Sequence, residues 1–164
     1  MRSITLSALS PSPHEHLWDL GAGSGSISIE WLLCDLTTTA SAVEIDKKRI
    51  KNIKENCKTF GLKRLEIYQS DINKTLLKLK QPNAVFIGGG FNEKLFRKIW
   101  TMVSKNVRIV INSVTVDTQS TVTKLYLKFG GELNKFEFSQ TKKVGSSSVW
   151  LNKYPVVQWK VVKN

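Results

Sequence analysis

From Leu17 onward, short apolar runs alternate with segments in which apolar residues recur every three or four positions. The first run, Leu17-Trp18-Asp19-Leu20, opens into glycines and then an apolar helix around residues 27–33. A second strand is predicted over 41–45. Asp46 is placed to cap the helix behind it, whose Ile50, Ile53, Cys57 and Phe60 share one face until Gly61 ends it. A third strand over 65–68 leads to a helix carrying Ile72, Leu76, Leu77 and Leu79, stopped by Pro82. The fourth, Ala84-Val85-Phe86-Ile87, runs straight into Gly88-Gly89-Gly90. A helix with Leu95, Phe96, Ile99 and Val103 follows, then a fifth strand over 107–114 and a helix over 118–129 closed by Gly130 and Gly131. Strands alternating with crossover helices wind into a parallel sheet.

The end of the chain changes character. Residues 133–139 alternate apolar with polar, and 155–162 read as a further strand with no helix between, so these two must pair antiparallel or lie apart. The stretch 142–148 is expected to be a mobile loop. The predicted fold is α/β, a Rossmann-like doubly wound sheet of about seven strands, mostly parallel with an antiparallel C-terminal hairpin. That is the layout of class I methyltransferases rather than of dinucleotide oxidoreductases. One domain over residues 1–164 suffices, since a chain of this length removes roughly two-thirds of its unfolded surface from water.

Composition narrows the setting. Cys34 and Cys57 are too few for a disulfide framework and stand in no zinc-type cluster, so a reduced, cytoplasmic protein without a metal is expected. The start lacks the apolar core of a signal peptide, and no run approaches the about 18 apolar residues of a membrane span. The net charge of +12 would draw an anionic partner. However, Lys47, Lys48, Lys51, Lys54 and Lys58, then Lys74, Lys78 and Lys80, fall at helical spacings that read as solvated faces.

Candidate chemistry concentrates behind the strands. Asp19-Leu20-Gly21-Ala22-Gly23-Ser24-Gly25-Ser26 joins the first strand to the first helix, where glycines allow a tight turn and a close ligand approach. The pattern is GxGxG, with Ser26 where a dinucleotide fingerprint has its third glycine. Asp19 would repel a pyrophosphate but suits a cationic ligand. The run resembles the S-adenosylmethionine (SAM) motif, which makes Asp19, Gly21, Ala22, Gly23, Gly25 and Ser26 cofactor candidates. Glu44 ends the second strand near the ~20-residue spacing of an acid that takes ribose hydroxyls. Asp71 either meets the adenine amino group or caps a helix. Gly88, with the cofactor, and Gly89 and Gly90, with the substrate, form a bare corner at the ligand-binding edge. Asn112 and Thr115 either contact substrate or cap a turn. His14 and His16 precede the first strand and read as surface or turn residues. No catalytic residue is identified.

The combination Trp18-Asp19-Leu20-Gly21-Ala22-Gly23-Ser24-Gly25-Ser26, Ile29-Glu30-Trp31 and Phe86-Ile87-Gly88-Gly89-Gly90 resembles the decarboxylating precorrin-6Y/precorrin-8 C15-methyltransferases of cobalamin biosynthesis. Asn112-Ser113-Val114-Thr115 and Pro155-Val156-Val157-Gln158-Trp159 are similar to further family segments in the same order, and the resemblance runs from Arg2 to Trp159. It implies methylation of a polycarboxylate tetrapyrrole at C15 with loss of CO2 from the ring C acetate. It also implies SAM as donor and a homo-oligomer; the C5-methyltransferase domain that precedes this one in many relatives is a candidate separate partner, and the sequence does not decide which protein acts at C5. The family's small residues after the third strand are here Asp71-Ile72-Asn73, and its Gly-Gly before the fifth strand is Lys105-Asn106. The alternative is an RNA methyltransferase of the same fold, to which the net charge of +12 would be suited. Against it stand the lack of an NPPY-type motif and of an appended RNA-binding domain, so no nucleic acid or membrane partner is expected.

Overall fold

A computed structural model describes residues 1–164. Leu17 and Trp18 show how the sheet is built: neighbours along a strand point to opposite faces, and both are fully buried, so helices cover both sides. Strands β1 (His16–Leu20), β2 (Thr39–Glu44), β3 (Leu65–Gln69), β4 (Ala84–Ile87) and β5 (Arg108–Ser113) are parallel, in the order β3-β2-β1-β4-β5. Beyond β5 lies β9 (Val156–Val162), antiparallel both to it and to β6 (Glu132–Phe136) at the edge.

One face packs Trp18, Val85, Ile109 and Trp159 under α5 (Glu93–Met102) and α6 (Val116–Phe129). The other packs Leu17, Ala84 and Val110 under α1 (Arg2–Leu9) and α2 (Ser26–Cys34). Helix α3 (Lys47–Thr59) lays Ile50, Ile53 and Cys57 inward; the Asp46 side chain accepts from Arg49 N, and Gly61 turns out of it at φ 64°. Buried tryptophans need a partner for their N–H. Trp18, Trp31 and Trp159 donate to the carbonyls of Lys80, Thr39 and Gly130 at 2.7, 3.1 and 2.9 Å. No helix is long and apolar enough to cross a membrane.

Four sequence expectations are corrected. The stretch 142–148 is not a loop: it belongs to a two-stranded hairpin of β7 (Ser139–Val144) and β8 (Ser147–Asn152), inserted between β6 and β9 and closed at its base by Lys153 N donating to Phe138 O. His16 is neither surface nor turn. It starts β1 at 2% exposure, with its ring nitrogens on Thr39 and Ser41. Residues 72–79 do not form one helix, because α4 (Ile72–Thr75) tightens into a 3₁₀ turn and Leu77 faces outward. Phe60, expected on the apolar stripe, is exposed just beyond the end of α3. Helix α1 was not foreseen at all.

Candidate active site

In a doubly wound sheet the connections leave β1 for opposite sides, and a crevice opens at the carboxyl ends where they part. Here that point lies between β1 and β4, and a cavity of about 700 Å³ opens at this edge. The turn after β1 supplies Gly21, Ala22, Gly23 and Ser26, while the end of β2 supplies Glu44. Asp71 comes from the start of α4, Gly88, Gly89 and Gly90 from the end of β4, and Asn112 from β5.

Two backbones meet at the centre. Gly21 stands at φ 69°, and a Cβ there would lie 2.6 Å from Gly89 O, a distance no side chain tolerates. Gly88 N donates to Leu20 O at 3.0 Å, tying the same two strand ends together. Gly23, at φ 60°, faces open space, and its N–H donates to Glu44 Oε2 at 2.8 Å. The other Glu44 oxygen accepts from Ile45 N and Asp46 N at 2.9 and 3.0 Å, and Arg49 Nη1 lies 3.7 Å from Oε2. Glu44 is therefore locked in place at 4% exposure while still bordering the cavity.

Asp19 lies beneath the glycine turn rather than on the cavity wall. Its Oδ2 accepts from Ser28 N at 3.1 Å and Ser28 Oγ at 2.6 Å, fastening β1 to α2, while its buried Oδ1 has no partner. Burial pushes its carboxyl up to about 6 against the opposing pull of those two bonds, and the Glu44 charge adds to the rise. Gly25 is also off the wall: it caps α2 at φ 74° and leaves room for Ile53. Asp71 caps α4 through Asn73 N at 2.8 Å and also borders the cavity, so both of its readings have a place. Thr115 caps α6 through Thr118 and does not line the cavity. Asn112 donates to Thr5 Oγ1 at 2.8 Å.

Sequence reasoning missed several wall residues. Ser70 and Asn92 stand at strand-to-helix junctions on the same edge, a position that could have revealed them. Arg2 and Thr5 come from α1, for which no signal pointed to the site. The bare corner at Gly21 and Gly89 and the fixed acid Glu44 together fit a ligand that brings hydroxyls to Glu44, and the Asp19 carboxyl buried beneath the turn adds negative field for a positive centre without touching it.

A sheet in this order, closed by one antiparallel strand and carrying a glycine turn against a strand-end acid, defines a methyltransferase of Rossmann-like fold. The model of the precorrin methyltransferase domain family matches residues 1–163, and the chain belongs to that family. It is 35% identical over 164 residues to the precorrin-6Y C(5,15)-methyltransferase [decarboxylating] of Sinorhizobium sp, covering 99% of this chain and 40% of that protein. A "Probable cobalt-precorrin-6B C(15)-methyltransferase (decarboxylating)" of Methanococcus vannielii is 30% identical, with 95% of this chain and 86% of that one covered. Among solved structures, the C-terminal domain of precorrin-6Y C5,15-methyltransferase from Rhodobacter capsulatus superposes with a TM-score of 0.94 at 37% identity, covering 99% of this chain and 88% of that one.

Proposed function

We propose that this chain methylates a precorrin or cobalt-precorrin at C15, using SAM, with loss of the ring C acetate carboxylate as CO2. The observation that carries the reading is the cavity between the glycine corner and Glu44 in a chain of this family. The chain spans 40% of the Sinorhizobium relative, which is named for both C5 and C15, but 86% of the Methanococcus relative, which is named for C15 alone. The C15 reaction is therefore the one assigned here.

Bound SAM supplies an electrophilic methyl on a sulfonium. Glu44 accepts the ribose hydroxyls, Asp71 faces the adenine end, and the acidic field of Asp19 and Glu44 favours the cationic methionyl end. The Gly88-Gly89-Gly90 corner keeps the methyl path free of side chains. With SAM bound, the electron pair of the ring carbon would form the new C–C bond as the C–S bond breaks, and that carbon would then shed its proton to restore the conjugated ring; the pair freed by CO2 loss would take up one proton at the acetate methylene, so that the proton count is unchanged. No protein nucleophile is needed, so rate comes from positioning. A reduced cytoplasmic setting accords with the free Cys34 and Cys57. Family membership does not favour the RNA alternative.

Self-association is assigned to the β7–β8 hairpin. All its residues are exposed, Trp150 at 74%, and both its edges are unpaired. The decisive test of function is mass spectrometry after incubating protein, SAM and reduced precorrin-6. Gain of a methyl with loss of CO2 is expected; SAM binding without any methylated tetrapyrrole overturns the reading.

A further inference from the structure

Asn112 sits at the carboxyl end of β5, directly across the antiparallel ladder from Gln158 of β9. Residues paired in this way project to the same face, and Thr5 of α1 meets both. Gln158 Nε2 donates to Asn112 Oδ1 at 2.9 Å and to Thr5 Oγ1 at 3.3 Å, and Asn112 Nδ2 donates to the same hydroxyl at 2.8 Å. Gln158 is 3% exposed and Thr5 fully buried. Three polar side chains in a sheet interior cost more than apolar ones unless all are satisfied; Asn112 and Thr5 border the cavity, and of the two Asn112 is the more exposed.

The consequence is directional. With its oxygen engaged by Gln158, the Asn112 carboxamide turns its nitrogen toward Thr5 and keeps a second N–H with no acceptor in the chain. Arg2, 66% exposed and 3.6 Å from Glu30, lines the same cavity and adds positive charge. We propose that Gln158 and Thr5 are positioning residues that hold the Asn112 carboxamide as a hydrogen-bond donor to a carboxylate of the substrate. The proposal rests on the tetrapyrrole reading, whose substrate is a polycarboxylate.

The test compares the wild type with Gln158→Glu, Gln158→Leu, Asn112→Asp, Asn112→Ala and the double variant of Gln158→Leu with Asn112→Ala. Three quantities are measured: affinity for S-adenosylhomocysteine by calorimetry, binding of uroporphyrin III as a carboxylate-rich macrocycle, and kcat and KM for methyl transfer. Gln158→Glu sets an acceptor against Asn112 Oδ1 and so reverses the amide. Asn112→Asp keeps the bond from Gln158 but removes the donor. Both should raise KM and weaken uroporphyrin binding about tenfold, the worth of one charge-assisted bond, with S-adenosylhomocysteine affinity within about twofold. Adding Gln158→Leu to Asn112→Ala should cost nothing further, because the two act through one contact. Additive losses, or a parallel fall in S-adenosylhomocysteine affinity, overturn the proposal. If the wild type binds S-adenosylhomocysteine but neither methylates nor binds the macrocycles, the tetrapyrrole reading fails and the carboxylate goes with it. The positioning role is then read from the Asn112 side-chain amide pair in a 15N–1H spectrum. Displacement in Gln158→Leu sustains that role, and an unmoved pair ends it.

Discussion

Gly21 and Gly23 share a left-handed backbone yet differ in what surrounds them, so substitutions there should fail in different ways. Gly21→Ala forces a methyl to 2.6 Å from Gly89 O, and backbone must give way. A loss of about 3 kcal/mol or more in urea unfolding is expected. A Cβ at Gly23 meets nothing within 4 Å, so in Gly23→Val the fold should survive the strain of about 1–2 kcal/mol. SAM affinity, in contrast, should fall at least about tenfold by calorimetry as the side chain fills the cofactor's approach. Unchanged affinity in folded Gly23→Val would show that the cofactor lies elsewhere. Glu44→Gln keeps the shape but loses the charge that its three N–H donors and the ribose hydroxyls share. A fall in SAM affinity of about 10- to 100-fold is expected, together with a lower melting temperature, because the amide nitrogen must face at least one of those N–H donors.

At the scale of elements, the hairpin and α1 show opposite relations to the sheet. Because Lys153 N bonds Phe138 O at 2.8 Å, the β7–β8 hairpin is closed at its own base. Replacing residues 139–152 by a short turn should leave β6 and β9 paired and thermal unfolding nearly unchanged, while a homo-oligomer measured by light scattering should fall to monomer. A retained oligomer would move the interface to another surface. Helix α1, in contrast, is bound into the body: Arg108 donates to Leu9 O at 2.7 Å and pairs with Glu15. Its amphipathic character is short and weak because Thr5, a polar residue, is its most deeply buried position alongside Leu9. No apolar period could announce it.

Across the whole molecule, two buried titrating groups oppose each other. Burial lowers His16 from 6.5 to about 4, with the Lys80 charge acting in the same direction, so its contribution to stability is present above pH 6.5 and is lost as pH falls toward 4. Asp19, raised from 3.8 to about 6, contributes in its protonated form: stability present below pH 3.8 is lost as pH rises through 6. On acidification from pH 7 to about 4.5 the two partly cancel. Asp19→Asn removes the compensating group, so its urea midpoint should drop further over this range than that of the wild type. An equal drop would mean that Asp19 titrates as an ordinary carboxylate.

The alternation of apolar runs, Asp46 as a cap and the glycines behind β1 and β4 were legible because each is a local requirement: a period, an N–H to satisfy, a positive φ. Glu44 was legible because its distance from the glycines is set by one βα unit. His16 misled because its burial depends on Thr39 and Ser41, partners brought beside it by strand pairing rather than by sequence. Thr115 stayed open in the sequence because a cap and a contact use the same residue type at the same edge, and only tertiary structure shows that it caps α6. The sequence by itself determined the class of fold, the edge at which the cavity opens and the residues with special backbone geometry. Tertiary structure alone decided that α1 supplies a wall of the cavity, that 139–152 stands out as a hairpin, and that Gln158, more than 150 residues from Thr5, meets it at the Asn112 carboxamide. Those contacts join segments far apart in the chain, and no local period or spacing encodes a partner brought near only by folding.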